Sequence, residues 1–182
     1  MSETADRFRK VSGAFTQRVE SVPEGAWDHP APCTGWVARD VVRHLVEWMP
    51  GFFGRYGIEF TPGPSVDADP VGAWAAARDT VQRALDDPAT ASRTSETPMG
   101  QTSMEQSVGM FVIADVLIHT WDLARATGLD ERLDADEVDR LSGMMQMSDE
   151  QLRSSGQFGP AVAVPDSADA QTKLIAFSGR QP

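Results

Sequence analysis

The run Val112-Ile-Ala-Asp-Val-Leu-Ile-His-Thr-Trp-Asp-Leu-Ala-Arg-Ala126 decides how this chain is read. Asp115 and His119 stand one helical turn apart inside one of its most apolar segments. Burying such groups is costly unless something satisfies them. The helix that would carry them has clear ends. Ser103-Met-Glu-Gln106 matches a capping box, a hydroxyl cap answered by Gln three residues on. Thr127-Gly128 supplies the left-handed terminator that helices prefer. The span is about 24 residues, on the order of 36 Å at 1.5 Å per residue. Its face centred on Asp115 holds Val108, Phe111, Val112, Ile118, His119 and Asp122, and the opposite face holds Met110, Ile113, Leu117, Trp121 and Ala124. A helix that is apolar all round is buried all round.

A second apolar segment, Val41-Val-Arg-His-Leu-Val-Glu-Trp48, behaves the same way. His44 shares a face with Val37, Asp40, Val41, Glu47 and Trp48, while Val42, Val46 and Met49 lie opposite. Two interior helices thus each place a polar row among apolar residues. Such rows meet each other or a bound ion, because unpaired groups cost a few kcal/mol each. His44, Asp115 and His119 together make a three-ligand divalent-metal set with at least one open position, the pattern of a catalytic rather than a structural site. Asp122, one turn beyond His119, is placed to orient that imidazole, and Asp40 and Glu47 to orient His44. The same spacing also fits a buried Asp–His or Asp–Arg network that only satisfies the core, with Arg43 and Arg125 nearby. No catalytic acid, base or nucleophile is assigned.

Around these segments the pattern is helical. The first helix spans about Thr4 to Ser21, with Phe8, Val11, Phe15 and Val19 at helical spacing. Val22 to Gly35 carries Pro23, Pro30 and Pro32 and reads as a loop. The second helix starts near Trp36 or Val37 and ends by Pro50 or soon after. Gly51 to Pro70 is a connector packed by Phe52, Phe53, Tyr56 and Phe60. The third helix, Val71 to Leu85, is opened by Asp69-Pro70. Asp86 to Thr102 is a long loop or a short hairpin. After the Asp115 helix, a fifth opens at Asp134-Ala-Asp-Glu137 and runs to about Ser154. A Gly/Pro/Val segment, Gly156 to Pro165, precedes a short last helix, Ser167 to Phe177, which ends at Gly179. The sum is an all-α bundle.

The chain has 182 residues, enough for one domain with a sizeable core, with 156–182 as a packed C-terminal extension. The net charge of −11 argues against nucleic acid and against anionic membranes as partners. No stretch reads as apolar for long enough to span a bilayer. The polar, acidic start Met1-Ser-Glu-Thr-Ala-Asp does not read as a signal peptide, so the cytoplasm is the default compartment. The single cysteine, Cys33, excludes an intramolecular disulfide and any CxxC metal site; it is a reactive thiol or, more simply, a small buried hydrophobe. Trp36, Trp48 and Trp121 either line a pocket or fill the core, with core packing the expected main role. Met144, Met145 and Met147 form an adaptable wall, a dimer contact or core filling. His29, in a loop, is expected to be solvated. Arg125 either holds a substrate carboxylate or pairs with Asp122, and the pairing is the simpler expectation.

Trp27-Asp28, Pro32-Cys-Thr-Gly-Trp36 and Arg39-Asp-Val-Val-Arg-His-Leu45 form one block; His119-Thr-Trp-Asp-Leu-Ala-Arg-Ala-Thr-Gly128 forms a second. Phe158-Gly-Pro-Ala-Val-Ala-Val-Pro165 and Gly179-Arg180 close the set. Taken together these resemble the actinobacterial branch of the DinB/YfiT-like superfamily, related to the N-terminal domain of mycothiol-dependent maleylpyruvate isomerase. The resemblance implies an up-and-down four-helix bundle with a divalent metal at one end. His44, Asp115 and His119 are then its ligands, with zinc as the first expectation and nickel, manganese or iron as alternatives. It further implies a metal-activated low-molecular-weight thiol such as mycothiol, an electrophilic second substrate, and thiol-dependent S-transfer or isomerisation. A homodimer stays open. Three departures stand out. The isomerase has Glu where this chain has the shorter Asp115. It carries a second domain for which the tail after Gly156 has no room. Ser or Thr often caps the second helix in the family, where this chain has Val37, with Thr34 as a substitute further upstream. A non-catalytic bundle with a degenerate site that binds a small ligand or partner, and a metal-dependent hydrolase, are the rival readings.

Overall fold

The computed structural model describes residues 2–97, 100–147 and 159–182. Helix α1 (Glu3–Ser21) starts where the Ser2 hydroxyl accepts the Ala5 N–H at 3.2 Å, satisfying one of the open donors of a first turn. It buries Phe8, Val11, Phe15 and Val19, the row read from the sequence. After a single 3-10 turn at Ala26–Asp28 the loop folds back on itself. Ala31 N–H reaches Trp36 C=O at 2.9 Å, and Ala38 N–H reaches His29 C=O at 2.9 Å. This pinned loop holds Cys33 and Trp36 in place, and His29 is exposed as expected.

Helix α2 (Ala38–Gly54) runs through Pro50 and one turn beyond it. Pro50 is exposed, and the buried Met49 and Phe53 carry the helix past it. Thr34 is exposed and does not cap this helix. Asp40 accepts the Val37 N–H at 3.0 Å instead, so the side-chain acceptor sits in the first turn rather than at the cap. Helix α3 (Pro70–Asp86) follows its Asp69 cap, whose Oδ1 accepts the Gly72 N–H at 2.8 Å. Next come a one-turn helix α4 (Pro88–Ala91) and a hairpin of β1 (Thr94–Thr97) and β2 (Gly100–Ser103), paired antiparallel from Thr94↔Ser103 to Thr97↔Gly100. The hairpin alternative was the right one.

The central helical run begins with α5 (Met104–Ser107), passes through one π-helical turn at Val108–Val112 and continues as α6 (Ile113–Thr127). Both halves of the expected capping box form, at 3.0 and 3.2 Å. Gly128 ends the run with φ +72°, in the left-handed region. Every residue from Val116 to Ala124 is buried. By length and composition Met104–Thr127 is apolar enough to cross a membrane, which corrects the expectation that no stretch is. Its burial inside the fold, 72% of the apolar window, accounts for that composition. The π turn shifts the register that a uniform helix assigns, and Phe111 emerges 39% exposed.

Helix α7 (Ala135–Met147) starts at Asp134, whose Oδ1 accepts the Glu137 N–H at 3.2 Å. Glu137 does not close a capping box. It is buried and forms a two-pronged pair with Arg7 at 2.7 Å, tying α7 to α1. The expected continuation to Ser154, and Gly156 to Phe158 of the C-terminal extension, lie outside the described residues, as do the side chains of Met145 and Met147. Helix α8 (Ala170–Phe177) is capped by Asp169 and packs against α7.

The fold is an all-α bundle of four long helices, α1, α2, α3 and α6. Around the ring the order is α1–α3–α2–α6, each helix touching the next and α6 closing on α1. In a plain up-and-down ring each helix lies beside its successor in sequence. Here α1 and α2 lie across one diagonal and α3 and α6 across the other, which the long loop 22–37 and the segment 87–103 make possible. The order sets α2 and α6 side by side, the arrangement that the candidate site needs.

Candidate metal centre

His44 lies on the half-buried edge of α2, and Asp115 and His119 lie on the facing edge of α6. His44 Nε2 stands 3.2 Å from Asp115 Oδ2, and His119 Nε2 stands 3.4 Å from Asp115 Oδ1. The ligating atoms of all three residues lie within 4.8 Å of one another. Both imidazole Nε2 atoms face the same carboxylate, one at each oxygen, so the three side chains surround a single position that a divalent ion could take. The shorter Asp115 side chain therefore reaches the histidines from both of its oxygens. His44 and Asp115 keep 33% and 30% of their side chains exposed, and His119 only 5%. The cluster is open at His44 and Asp115 and closed at His119.

The closed side is a chain of charge. Asp122 Oδ2 sits 2.8 Å from His119 Nδ1, as the sequence row predicts, and is fully buried. The Arg180 guanidinium then donates to both oxygens of Asp122, at 2.8 to 3.2 Å. Cys33 completes the corner, its sulfur 3.5 Å from Asp122 and 3.4 Å from Arg180. Arg180 has no site role in the sequence reading. Its only signal there is the closing Gly179-Arg180 pair. Gly179 has φ +86°, and a Cβ at that position would meet the Gly159 backbone at 3.1 Å, so glycine is required for the turn that delivers Arg180.

These contacts set the protonation states. Burial works against an ionised Asp115, but His119 and His44 outweigh it and hold the carboxyl well below the usual range. Burial likewise opposes charge on His119, yet Asp115 and then Asp122 push its pKa up to about 9. Asp122 is held low, its burial outweighed by His119 and Arg180. The Cys33 thiol is driven the other way, up to about 12, by burial first and by Asp122 second. Cys33 is thus a neutral, half-buried thiol rather than a nucleophile.

Cys33, His119 and Asp122 also bring donor atoms within 4.8 Å of one another. That set fits an ion poorly. Asp122 is fully buried and already holds a guanidinium, and the thiol resists ionisation. The His44, Asp115 and His119 set is open at His44 and Asp115, and among the described residues no Lys or Arg pairs with Asp115.

Several expected partners are arranged differently. Asp40 does not serve His44; its oxygens take the Val37 N–H and pair with Arg43 at 3.3 Å, as a carboxylate in a first helical turn tends to do. Glu47 is exposed. Arg125 is exposed and pairs with Glu131 at 2.7 Å, its guanidinium 4.6 Å over the Trp121 ring, so it does not pair with the buried Asp122. Trp36 and Trp48 are not plain core. Trp36 stacks on His119 with centroids 5.9 Å apart and lies 5.3 Å from His44, and Trp48 lies 6.3 Å from His44. Trp121 is buried.

Residues 8–52 match the family model of the mycothiol maleylpyruvate isomerase N-terminal domain. The resemblance read in the sequence is borne out over most of α1, the pinned loop and most of α2, the part of the chain that carries His44. Over 174 residues, 94% of each chain, the protein is 28% identical to an uncharacterized protein of Mycobacterium tuberculosis (strain CDC 1551 / Oshkosh). It is equally similar to an uncharacterized protein of strain ATCC 25618 / H37Rv. No solved structure gives a significant match.

Proposed function

We propose that this chain binds a divalent metal through His44, Asp115 and His119 and uses it in thiol-dependent S-transfer or isomerisation. The observation that carries the reading is the convergence of the three side chains on an open face of the bundle, with the two imidazole Nε2 atoms 3.2 and 3.4 Å from the two oxygens of Asp115. A divalent ion held there would lower the pKa of a bound thiol and make it a thiolate at neutral pH. The match of residues 8–52 to a mycothiol-related domain supports a low-molecular-weight thiol of the mycothiol kind. Zinc suits two imidazoles and a carboxylate best, with nickel, manganese and iron following.

The chain's own residues supply the rest. Asp122 accepts from His119 Nδ1, which fixes the tautomer and leaves Nε2 free to ligate. Arg180 holds Asp122 ionised and in place. Trp36 stacks against His119 and screens it from water on the loop side. The test is cobalt-substituted protein titrated with mycothiol. The reading expects a sulfur-to-cobalt charge-transfer band that is lost in His44→Ala; no band with bound cobalt contradicts thiol activation. Turnover of an ester or amide without thiol would instead favour a hydrolase.

One observation favours a second reading. Asp115, His119, Asp122 and Arg180 already form a complete chain of opposite charges. A bundle using them only as a static network, and binding a small ligand or partner, would lose stability but no metal on Asp115→Asn.

A further inference from the structure

His44, Trp48 and Phe52 are spaced four apart on α2, so their side chains form one row, about 12 Å long at 1.5 Å per residue. The rings follow one another closely, with centroids 6.3 Å apart from His44 to Trp48 and 5.2 Å from Trp48 to Phe52. Phe111 of the π turn closes the far end, 6.4 Å from Phe52. Trp48 and Phe52 are half-buried and Phe111 is 39% exposed, while Met49 and Phe53 on the same helix are fully buried. The row is therefore a surface seam between α2 and the central helical run. It begins at the candidate metal ligands and leads away from them. The π turn that carries Phe111 is a helix irregularity of the kind that recurs at functional sites.

A second observation is independent of this geometry. The Trp48 indole nitrogen is buried and has no hydrogen-bond acceptor among the described residues. A buried donor is normally paired, because leaving it unpaired forfeits its solvation. The indole of Trp74 shows the ordinary solution, donating to Thr16 Oγ at 2.9 Å.

We propose that this seam binds the second substrate, a flat apolar molecule with an oxygen acceptor. Its ring packs against Trp48, Phe52 and Phe111, and its oxygen takes the Trp48 N–H. Aromatic walls favour flat apolar ligands, and one placed polar group fixes their orientation. The donor is covered in the free protein, so binding parts the side chains above it, and the exposed Phe111 has room to turn. That the occupant reacts with a thiol rests on the function proposed above. Its binding needs neither thiol nor metal.

The probe pair is 2-acetylnaphthalene and 2-ethylnaphthalene, equal in shape and differing in the acceptor oxygen. Each is titrated into ¹⁵N-labelled, metal-free protein. The Trp48 indole resonance is the one missing from Trp48→Phe. The ketone is expected to shift that resonance downfield, as a new hydrogen bond does, and to bind roughly tenfold more tightly than the hydrocarbon, which lacks the acceptor. Ketone affinity is expected to fall roughly tenfold in Trp48→Phe, and by a similar factor in Phe111→Ala, a substitution at an exposed position that spares the fold. An unmoved Trp48 resonance, or equal ketone affinity in both variants, overturns the proposal. A protein that binds metal but shifts no indole loses the seam alone. One that binds the ketone but no metal keeps the seam and loses the thiol chemistry.

Discussion

The α1–α3 side of the bundle and its α2–α6 side are built from similar residues and finished differently. Between α1 and α3, Phe15 meets Trp74 edge to face at 4.7 Å, both rings are fully buried, and Thr16 accepts the indole N–H. Between α2 and α6, two histidines and a carboxylate hold positions where a bundle would place leucine, and the Trp48 N–H has no acceptor among the described residues. One side is closed, and the polar groups at its Phe15–Trp74 contact are paired. The other keeps polar groups half-exposed at a depth where packing alone gives no reason for them. Departures from local packing rules concentrate at functional sites, and here they concentrate on one side of the ring.

The contrast can be broken from either side. Truncating the closed side, Trp74→Ala, is expected to cost about 3–5 kcal/mol in denaturant unfolding. Metal bound per folded chain should not change, and a parallel loss of metal would mean that the two sides are not separable. On the open side, Asp122→Ala strips the partner from Arg180, whose side chain is 13% exposed. It is expected to cost about 3 kcal/mol and also to weaken zinc binding roughly 10–100-fold. Lost stability with intact zinc affinity would make Asp122 a structural residue like Trp74.

The open side also carries a pH response. His119, pushed up to about 9, stabilises the metal-free fold fully below its ordinary pKa of 6.5, and that contribution is lost as pH rises through about 9. Asp115 and Asp122, held low, contribute above the ordinary carboxylate range and lose it as pH falls. A metal must displace the proton from His119, so zinc affinity is expected to rise about tenfold per pH unit up to about pH 9. Isothermal titration from pH 6 to 8.5 measures this, and a flat profile would remove His119 from the ligand set. The smallest effect is expected from Cys33→Ala. Among the described residues its neutral thiol makes long contacts, at 3.4 and 3.5 Å, so stability should change by about 1 kcal/mol or less and zinc content not at all.

Much of this was readable in the sequence. The capping box at Ser103, the stop at Gly128 and the nine-residue buried core of α6 follow from local rules. His44, Asp115 and His119 stood out because each breaks an apolar pattern. Arg180 did not, because its partner Asp122 lies 58 residues away and is reached only through the Gly159–Gly179 approach. Arg125 misled because three-residue spacing suggests a shared face with Asp122. The structure leaves Asp122 buried and Arg125 exposed, free to take Glu131 instead. Asp40 misled for another reason: at the start of a helix the unpaired backbone N–H of Val37 competes for its carboxylate. The π turn at Val108–Val112 has no signature in a run that continues helical periodicity on both sides.

The central claim is that the half-exposed edge of the α2–α6 pair is a metal site. Elemental analysis of the purified protein, repeated after chelation and reloading with zinc, tests it most directly. The account predicts one zinc per chain in the intact protein, and loss of that zinc in His44→Ala and in His119→Ala while both variants remain folded. No retained metal, together with no affinity for zinc, nickel, manganese or iron on reloading, would contradict it and leave the cluster as a static polar network.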